Sequence, residues 1–251
     1  MSVTAPDAAP SARPVVGILG GMGPEATVLL MQRVIALTPA ADDIDHVPLM
    51  VDNNTQVPSR IKAIIEGTGE SPAPALVAMA ERLERLGVAA LAMACNTAHW
   101  YASDIEAAVG IPFLNVVTLS ADAAQTASKG DGKVGLLASP AVQITGLFDT
   151  ALKARGLTPV YPQDQAAMLS AIRAVKRGAD FDSARATLRG AASELRDAGC
   201  ALSLVACSEL SILTDVLGED TPFLDTIDIL AEAIVRFGSP ADQTREVARA
   251  G

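Results

Sequence analysis

The stretch VVGILGGMGPEATVLLMQRVIAL, residues 15–37, decides the fold class. Its apolar first part predicts a strand at Val15–Leu19, and a glycine-rich turn then leads into a helix predicted at Pro24–Leu37. Proline suits the first helical position because its missing N–H would be unpaired there in any case. A buried strand, a short turn and a helix are typical of parallel sheets, so we predict an α/β fold.

The same alternation of apolar runs and helical periodicity continues along the chain. Further strands are predicted at Val47–Val51, Ala89–Ala94, Phe113–Val117, Val134–Ala138, Pro159–Tyr161, Leu202–Ala206 and Phe223–Leu224. Further helices are predicted at Ala73–Leu86, Gln165–Arg177 and Ala184–Ala198. Successive units of this kind build sheets that are buried on both faces.

The chain repeats itself weakly at an offset of a little more than one hundred residues. MACNT resembles VACSE, so that Cys95 matches Cys207, and IPFLNVV likewise resembles TPFLDTI. Strands of α/β proteins resemble one another by chance, but the matched cysteines favour a duplication. We predict two pseudo-symmetric lobes, each a parallel-sheet α/β sandwich. The active site is expected in the cleft between them, because open parallel sheets bind ligands at the carboxyl ends of their strands.

The lobes are predicted to comprise residues 14–117 with 227–245, and residues 118–226. Residues 1–13 are small, polar and proline-rich without an apolar core, which predicts a disordered tail rather than a signal peptide. A cytoplasmic location is the default expectation. Three cysteines, none in C-x-x-C spacing, are expected to be reduced thiols in that compartment.

Charge and composition exclude several classes of function. The 251 residues include 19 Lys and Arg against 29 Asp and Glu, a net charge of −10, and no basic stripe is evident. Nucleic acid is therefore not an expected partner. Apolar runs break well before the ~18 residues that a membrane span needs, so no membrane association is expected. His46 and His99 are the only histidines, and their spacing supports neither a metal site nor a Ser-His-Asp triad.

Each matched cysteine follows a buried strand and precedes a helix. Cys95 in AMACNTAHW is followed by Asn96 and Thr97, and free N–H groups at a helix start favour a thiolate and can hold a carboxylate. Cys207 in LVACSELSIL has the same setting. A small buried hydrophobic residue is the alternative for either cysteine alone. Cys200 has no counterpart in the first half and is interpreted as structural.

A pair of cysteines suits the inversion of an amino-acid α-carbon. This reaction removes a proton from one face and delivers another to the opposite face, so one group must be a base while the other is an acid. The ordinary thiol pKa of about 8.5 can be lowered locally, and cysteine can then serve in either state near neutral pH. The pattern therefore predicts a cofactor-independent, two-base racemase.

Two cations are candidate ligands for a substrate carboxylate. Arg60 ends the Asn-rich and Pro-rich loop VDNNTQVPSR, which is placed at the carboxyl edge of the sheet. Lys176 lies near the end of a predicted helix. A solvated loop arginine and a partner for the helix dipole are the respective alternatives.

A glycine motif supports a different hypothesis. Gly21, Gly23 and Ala26 form G-x-G-x-x-A between a strand and a helix, as in dinucleotide-binding folds, which predicts a nucleotide-binding oxidoreductase or regulator. However, Asp52 comes late for the acidic residue such folds need, and the paired cysteines stay unexplained. A non-catalytic protein that binds a small dicarboxylate is a third hypothesis.

The sequence resembles the aspartate/glutamate racemase superfamily, and its aspartate racemase branch most. The segments that carry the resemblance are GILGGMGPEAT, NNTQVPSR, ACNTAH, VGLLAS, ACSEL and PFLDTIDILAEAIV, within Val15–Val235. It implies a two-lobed amino-acid racemase that uses no pyridoxal phosphate and is usually dimeric. It also implies that Cys207 deprotonates the L enantiomer and Cys95 the D enantiomer.

The resemblance also implies how a substrate is held. Arg60 and Lys176 would bind the side-chain carboxylate of aspartate or glutamate. Asn96, Thr97 and Ser208 would hold the α-carboxylate. Further expected substrate contacts are Met22, Asn54, Gln56 and Glu209.

Several residues depart from the pattern of the aspartate racemase branch. They are Thr55, Ser59, Ala141, Val142, Ala206 and Ser208. The first two replace the proline and aspartate of the usual N-N-P-x-I-P-D-R loop. Ala141 and Val142 replace polar and flexible positions of a Thr-x-Gly-Thr segment. These changes concern substrate range, and a broad-specificity amino-acid racemase or a hydantoin racemase of the same superfamily is the alternative.

Overall fold

The computed structural model describes residues 13–128, 132–218 and 222–239. The strands are β1 (Val16–Gly20), β2 (Leu49–Asn53), β3 (Ala90–Met93), β4 (Phe113–Leu114), β5 (Gly132–Ala138), β6 (Leu157–Val160), β7 (Cys200–Ala206) and β8 (Phe223–Asp225). The α-helices are α1 (Pro24–Leu37), α2 (Ala73–Arg85), α3 (Ala102–Ala108), α4 (Val116–Ala127), α5 (Pro140–Thr145), α6 (Leu147–Lys153), α7 (Gln165–Lys176), α8 (Phe181–Asp197), α9 (Ser208–Ser211) and α10 (Thr226–Gly238). A π-helix spans Ile61–Glu66, and short 3-10 helices span Asp43–Asp45, Thr97–Tyr101 and Thr214–Val216.

The strands form two parallel four-stranded sheets with the same internal order. The first sheet runs β2-β1-β3-β4 and the second β6-β5-β7-β8. Each strand of the first half therefore has a counterpart in the second, with β3 equivalent to β7. This arrangement confirms the predicted α/β fold with two pseudo-symmetric halves, and it places Cys95 and Cys207 just after equivalent strands.

The start of α4 explains one of the differences from the predicted strand and helix bounds. The strand predicted at Phe113–Val117 ends at Leu114, because Asn115 caps α4 by accepting from the N–H groups of Val117 and Thr118. Asp225 occupies the equivalent position before α10 and accepts from Ile227 N–H. The helix predicted from Ala184 instead begins at Phe181.

The second strand begins two residues later than predicted. Val16 N–H donates to Pro48 O, and the paired strand starts at Leu49, because Pro48 has no N–H to give to the ladder. Val47 is buried, and its side chain contacts Gly238 at the end of α10. Most other predicted bounds agree with the structure to within two residues.

Close packing of the turn after β1 brings the 54–60 loop towards the sheet edge. Gly21 has a φ of +88°, and an added Cβ would lie 2.3 Å from the backbone of Asn54. Only glycine fits there, because it tolerates positive φ and has no side chain.

The lobe boundaries proposed from sequence fall inside helices. The change at residues 117 and 118 lies in the first turn of α4, and the change at 226 and 227 lies in the first turn of α10. Helix α10 packs against both α1 and α4. The proposed tail and residues 240–245 lie outside the described residues, apart from Arg13. In the ranges described, no helix combines the length and the apolar character needed to cross a bilayer.

Candidate functional site

A cleft of about 390 Å³ opens between the two halves, at the carboxyl ends of their strands. Its walls come from the turns after β1, β3, β5 and β7, from the 54–60 loop, and from the end of α7. We call it the interlobe cleft. Its lining residues are Gly21, Met22, Gly23, Pro24, Glu25, Ala26, Thr55, Val57, Ser59, Arg60, Ile61, Cys95, Thr97, Ser139, Ile172, Lys176, Cys207, Glu209 and Ile212.

The cleft brings together most of the site residues expected from sequence. Those that line it are Met22, Arg60, Cys95, Thr97, Lys176, Cys207 and Glu209. Cys200 is buried at the start of β7 and is not part of the lining. A larger groove of about 570 Å³, between α4 and α10, contains none of the expected site residues.

Cys207 belongs to a chain of charged and polar contacts. Its Sγ donates to Glu209 Oε2 at 3.2 Å, and Glu209 Oε1 accepts from Lys176 Nζ in an ion pair. Cys207 and Glu209 are buried, whereas Lys176 is partly exposed. Glu209 also lies at the start of α1, since a Cβ on Gly23 would be 3.6 Å from its Oε1. The positive end of the α1 dipole and Lys176 together stabilise the carboxylate.

These contacts determine the protonation of the cysteine and the lysine. Burial and the neighbouring carboxylate of Glu209 raise the pKa of Cys207 well above its ordinary value. Burial is the largest single influence on the pKa of Lys176 and lowers it, but the charge and hydrogen bond of Glu209 together with the two cleft cysteines outweigh burial, so the net pKa is raised. At neutral pH, Cys207 is therefore a thiol beside a charged lysine–carboxylate pair.

Cys95 is held by a buried histidine. The Val116 N–H donates to His99 Nε2 at 3.3 Å, so Nδ1 carries the proton and donates to Cys95 O at 2.9 Å. The imidazole also stacks on Phe113, with 5.2 Å between ring centroids. Burial lowers the pKa of His99 to about 4, so the ring is neutral at physiological pH and fixes the backbone of the cysteine.

Ser211 occupies the place of His99 in the second half. Each lies four residues after its cysteine, and Ser211 Oγ donates to Asp225 Oδ1 at 2.7 Å and approaches Cys207 O at 3.4 Å. Sequence reasoning missed both residues in this role. Superposing the two repeats would have paired His99 with Ser211, and Asn115 with Asp225.

Arg60 lines the cleft from the end of the 54–60 loop. Its Nη1 donates to Val57 O at 3.3 Å and to Pro58 O at 2.8 Å, which are main-chain acceptors without charge. Its Nε is buried and has no hydrogen-bond partner among the residues described. These contacts therefore do not neutralise the positive charge of Arg60.

Four expected substrate contacts lie outside the cleft lining. Asn54 Oδ1 accepts from the N–H of Gln56, whose exposed side chain donates to Thr55. Ser208 is buried at the start of α9. At Asn96 the structure differs from the expected side-chain donor to a carboxylate, because its Nδ2 donates to Thr226 Oγ1 at 2.9 Å. This bond occupies one of the two N–H groups of the side-chain amide, and the backbone N–H of Asn96 is a further donor that could contact a carboxylate.

The two departures at Ala141 and Val142 lie in the helix that follows β5. Ala141 and Val142 are fully buried in α5 and do not line the cleft, whereas Ser139 caps α5 and lines the cleft.

The structure does not favour binding of a dinucleotide at the glycine motif. The carboxylate of Glu209 next to Gly23 opposes a bound phosphate, and Asp52 is ion-paired with Arg82. No group of three His, Cys, Asp or Glu side chains is arranged for a metal within the described part of the chain.

A cleft that receives one cysteine from each half of a duplicated α/β fold defines a class of two-lobed enzyme. Residues 19–234 match the family model described as Asp/Glu/Hydantoin racemase, and the chain therefore belongs to this racemase family. The resemblance found in the sequence motifs is thereby confirmed, and with it the expectation of a racemase.

Solved and curated relatives agree with this assignment. The aspartate racemase of Picrophilus torridus is 31% identical, with a TM-score of 0.81, over 90% of this chain and 95% of its own. The broad-specificity amino-acid racemase RacX of Bacillus subtilis is 27% identical over 88% of this chain and 96% of its own length. A glutamate racemase from Francisella tularensis, solved in complex with D-glutamate, shares the fold at 16% identity, with a TM-score of 0.59 over 90% of this chain and 80% of its own.

Proposed function

We propose that this protein racemises amino acids without pyridoxal phosphate and uses Cys95 and Cys207 as its two acid–base groups. The observation that carries the proposal is their arrangement: the two thiols follow equivalent strands of the two halves and line one cleft. Racemisation needs a base on one face of the α-carbon and an acid on the other. Two cysteines contributed by opposite halves of a pseudo-symmetric site can supply both.

The proposed proton transfers balance within one turnover. One thiolate takes the α-proton and becomes a thiol, and the electron pair stays on the α-carbon. The other thiol then gives its proton to the opposite face and becomes the thiolate. The two cysteines thus exchange protonation states in each turnover.

Glu209 sets the starting state of this cycle. Because Cys207 donates to Glu209 and its pKa is raised, the free enzyme holds Cys207 as the thiol. In this state Cys207 can act as the acid, and Cys95 is left to act as the base, which by family resemblance serves the D enantiomer. For Cys207 to serve as the base, its proton must leave, and Glu209 Oε2 is the acceptor in contact with it.

Arg60 supports an acidic substrate. Lys176 is neutralised by Glu209, whereas the guanidinium of Arg60 contacts only uncharged carbonyls among its recorded hydrogen bonds. A side-chain carboxylate of aspartate or glutamate would pair with Arg60. Thr97 and the backbone N–H groups of Asn96 and Ser208 would hold the α-carboxylate and stabilise the negative charge that develops next to it.

The walls of the cleft favour a second candidate, a racemase of broader amino-acid specificity. Val57, Ile61, Ile172 and Ile212 give much of the lining an apolar character. Such a surface accepts aliphatic side chains that make no contact with Arg60. The similarity to a broad-specificity racemase is consistent with this candidate.

Incubation of the purified protein with single L-amino acids tests the proposal. Aspartate, glutamate, alanine and lysine are supplied without added cofactor, and the D enantiomers are measured by chiral chromatography. Cys95→Ala and Cys207→Ala are each expected to lower the rate by ~10²-fold or more, the usual contribution of a general acid or base. Cys200→Ala is the matched control, since this cysteine lies outside the cleft lining.

The outcomes of this experiment separate the hypotheses. Formation of D-aspartate or D-glutamate alone supports an acidic substrate, and activity on all four supports the broader racemase. Full activity in both cleft variants would refute the two-base assignment. Binding of a dicarboxylate without any α-hydrogen exchange would indicate a non-catalytic binding protein.

We further propose a cytoplasmic homodimer. Cys95, Cys200 and Cys207 are all free thiols, which the mechanism requires at the first and last and which a reducing compartment preserves. Dimerisation rests on the family resemblance and would appear as twice the mass of 25.8 kDa in sedimentation experiments.

A further inference from the structure

Thr226 connects the two cysteine-bearing segments through its hydroxyl group. Asn96, the residue after Cys95, donates from Nδ2 to Thr226 Oγ1 at 2.9 Å. Thr226 Oγ1 in turn donates to Val205 O at 3.0 Å, on the strand that leads to Cys207. One continuous chain of hydrogen bonds therefore runs from one half of the site to the other.

The direction of this chain is fixed by its chemistry. The single proton of the Thr226 hydroxyl is given to the carbonyl of Val205, so the hydroxyl must accept from Asn96. Asn96 is 2% exposed and Thr226 is 0% exposed. Water cannot replace either bond at such burial without a rearrangement, and breaking the chain would leave buried polar groups without partners.

This chain of hydrogen bonds breaks the symmetry of the two halves. In the repeat, Thr226 is equivalent to Val116, which has no hydroxyl. The first turns of α4 and α10 are otherwise tied to their own cysteine segments in the same way, through His99 and Ser211. Capping of α10 does not require the Thr226 hydroxyl. The hydroxyl instead provides a hydrogen bond that joins the two halves.

We infer that Thr226 is a positioning residue: through Asn96 and Val205 it fixes the separation of Cys95 and Cys207, so that the second thiol is in place when the first has removed the α-proton. This inference rests on the proposed racemase function. Without these hydrogen bonds, each cysteine keeps its place in its own lobe. The distance between the two thiols across the cleft is then less constrained. Proton removal then continues while delivery to the opposite face becomes slower.

Isotope exchange distinguishes this role from simple stabilisation. In heavy water, the cysteine that has removed the α-proton can exchange it for solvent deuterium and return the deuterium to the same face, so deuterium in the recovered starting enantiomer reports proton removal without inversion. Formation of the opposite enantiomer reports complete turnover. For Thr226→Val, which copies the equivalent Val116, the ratio of exchange to inversion is expected to rise about fivefold, as for the loss of one buried hydrogen bond in the second step. Thr226→Ser keeps the hydroxyl and is expected to retain the wild-type ratio.

Further variants keep the inference falsifiable. Asn96→Ala breaks the chain at its other end and must also raise the ratio, which provides a route if Thr226→Val does not fold. The double variant should shift the ratio no further than the larger single change, because both act on one chain. An unchanged ratio in folded Thr226→Val, or equal losses of exchange and inversion, would overturn the inference. Absence of both reactions in the wild type would refute the proposed function instead.

Discussion

At the scale of single residues, burial and the charge on Glu209 together determine the protonation state of Cys207. The carboxylate accepts from the thiol and is itself held by Lys176 and by the start of α1. Burial disfavours the thiolate, and the negative charge of Glu209 next to the thiol adds to this effect, which is why the pKa of Cys207 is raised well above its usual value. Glu209 thus makes the two cysteines unequal, although the repeat gives them equivalent backbone positions.

Replacing Glu209 by glutamine is expected to lower the pKa of Cys207. The change removes the neighbouring negative charge and leaves the positive charge of Lys176 without its partner. The pH midpoint for alkylation of Cys207 by iodoacetamide, followed by peptide mass spectrometry, should fall by about one unit or more.

The matched control for this change is Glu25→Gln. Glu25 also lines the cleft, but it is exposed and Glu209 is the carboxylate in contact with the thiol. The alkylation profile of Cys207 should be unchanged in this variant. A midpoint that stays the same or rises in Glu209→Gln would contradict the role given to that carboxylate.

Residues differ in how far the sequence predicts them. Cys95 and Cys207 are predictable because a local motif and a repeat both mark them. Thr226, Asp225 and the structural role of His99 are not, because each depends on a contact outside its own motif: the partner of Thr226 is 130 residues away, and the partners of Asp225 and His99 are 14 and 17 residues away. The Asn96 side chain was predicted as a carboxylate donor for the same reason: its distant partner is invisible in the local sequence.

At the scale of elements, the first turns of α4 and α10 hold the two cysteine segments through buried titratable groups. His99 links Cys95 O to Val116 N–H, while Asp225 links Ser211 to the N–H of Ile227. Burial acts on both groups by disfavouring the charged form. It lowers the pKa of His99 to about 4 and raises that of Asp225 to about 6.

Because the pKa of His99 is lowered in the folded protein, the folded protein loses stability in acid. The unfolded chain binds a proton below its ordinary pKa of 6.5, whereas the folded protein binds it only below about 4. The free energy of unfolding therefore rises with pH across this window, by up to about 3 kcal/mol from this group.

We expect His99→Gln to remove this contribution from denaturant unfolding curves measured between pH 4 and pH 7. It should also lower stability at neutral pH, since the bridge between Cys95 and Val116 is disturbed. His46→Gln removes the other histidine and should retain the wild-type slope. An unchanged slope in His99→Gln would show that the ring is not buried in its neutral form.

The raised pKa of Asp225 has the opposite effect. Its stabilising contribution is complete below the ordinary value of 3.8 and is lost as the pH rises through about 6, because the charged form is disfavoured in the folded protein. The loss amounts to about 3 kcal/mol at most.

Asp225→Asn should therefore become more stable relative to wild type as the pH rises from 4 to 7. Asparagine already caps the equivalent helix at Asn115, so the variant keeps the capping acceptor. Glu232→Gln, which removes an exposed carboxylate two turns further along α10, is the control and should show no such trend. A stability difference that does not vary with pH would contradict the assignment.

At the scale of the whole molecule, two sheets with the same strand order bring the two cysteines to one cleft. The fold is largely predictable from sequence, because strand patterning, turn residues and the repeat all indicate the same architecture. The lobe boundaries are harder to predict from sequence, since α4 and α10 pass through the proposed junctions without a break. They stay a prediction.

The central claim is that two thiols act from the two halves of this cleft. It is tested most directly by the isotope content of the first product formed in heavy water. With two bases, the proton removed by one cysteine stays behind, and the other delivers deuterium that it acquired from the solvent. We predict that D-product formed from an L-substrate in the earliest turnovers carries deuterium at the α-carbon in essentially every molecule, while the remaining substrate keeps protium. Substantial protium in that early product would mean that a single group removes and returns the proton, and would contradict the two-base account.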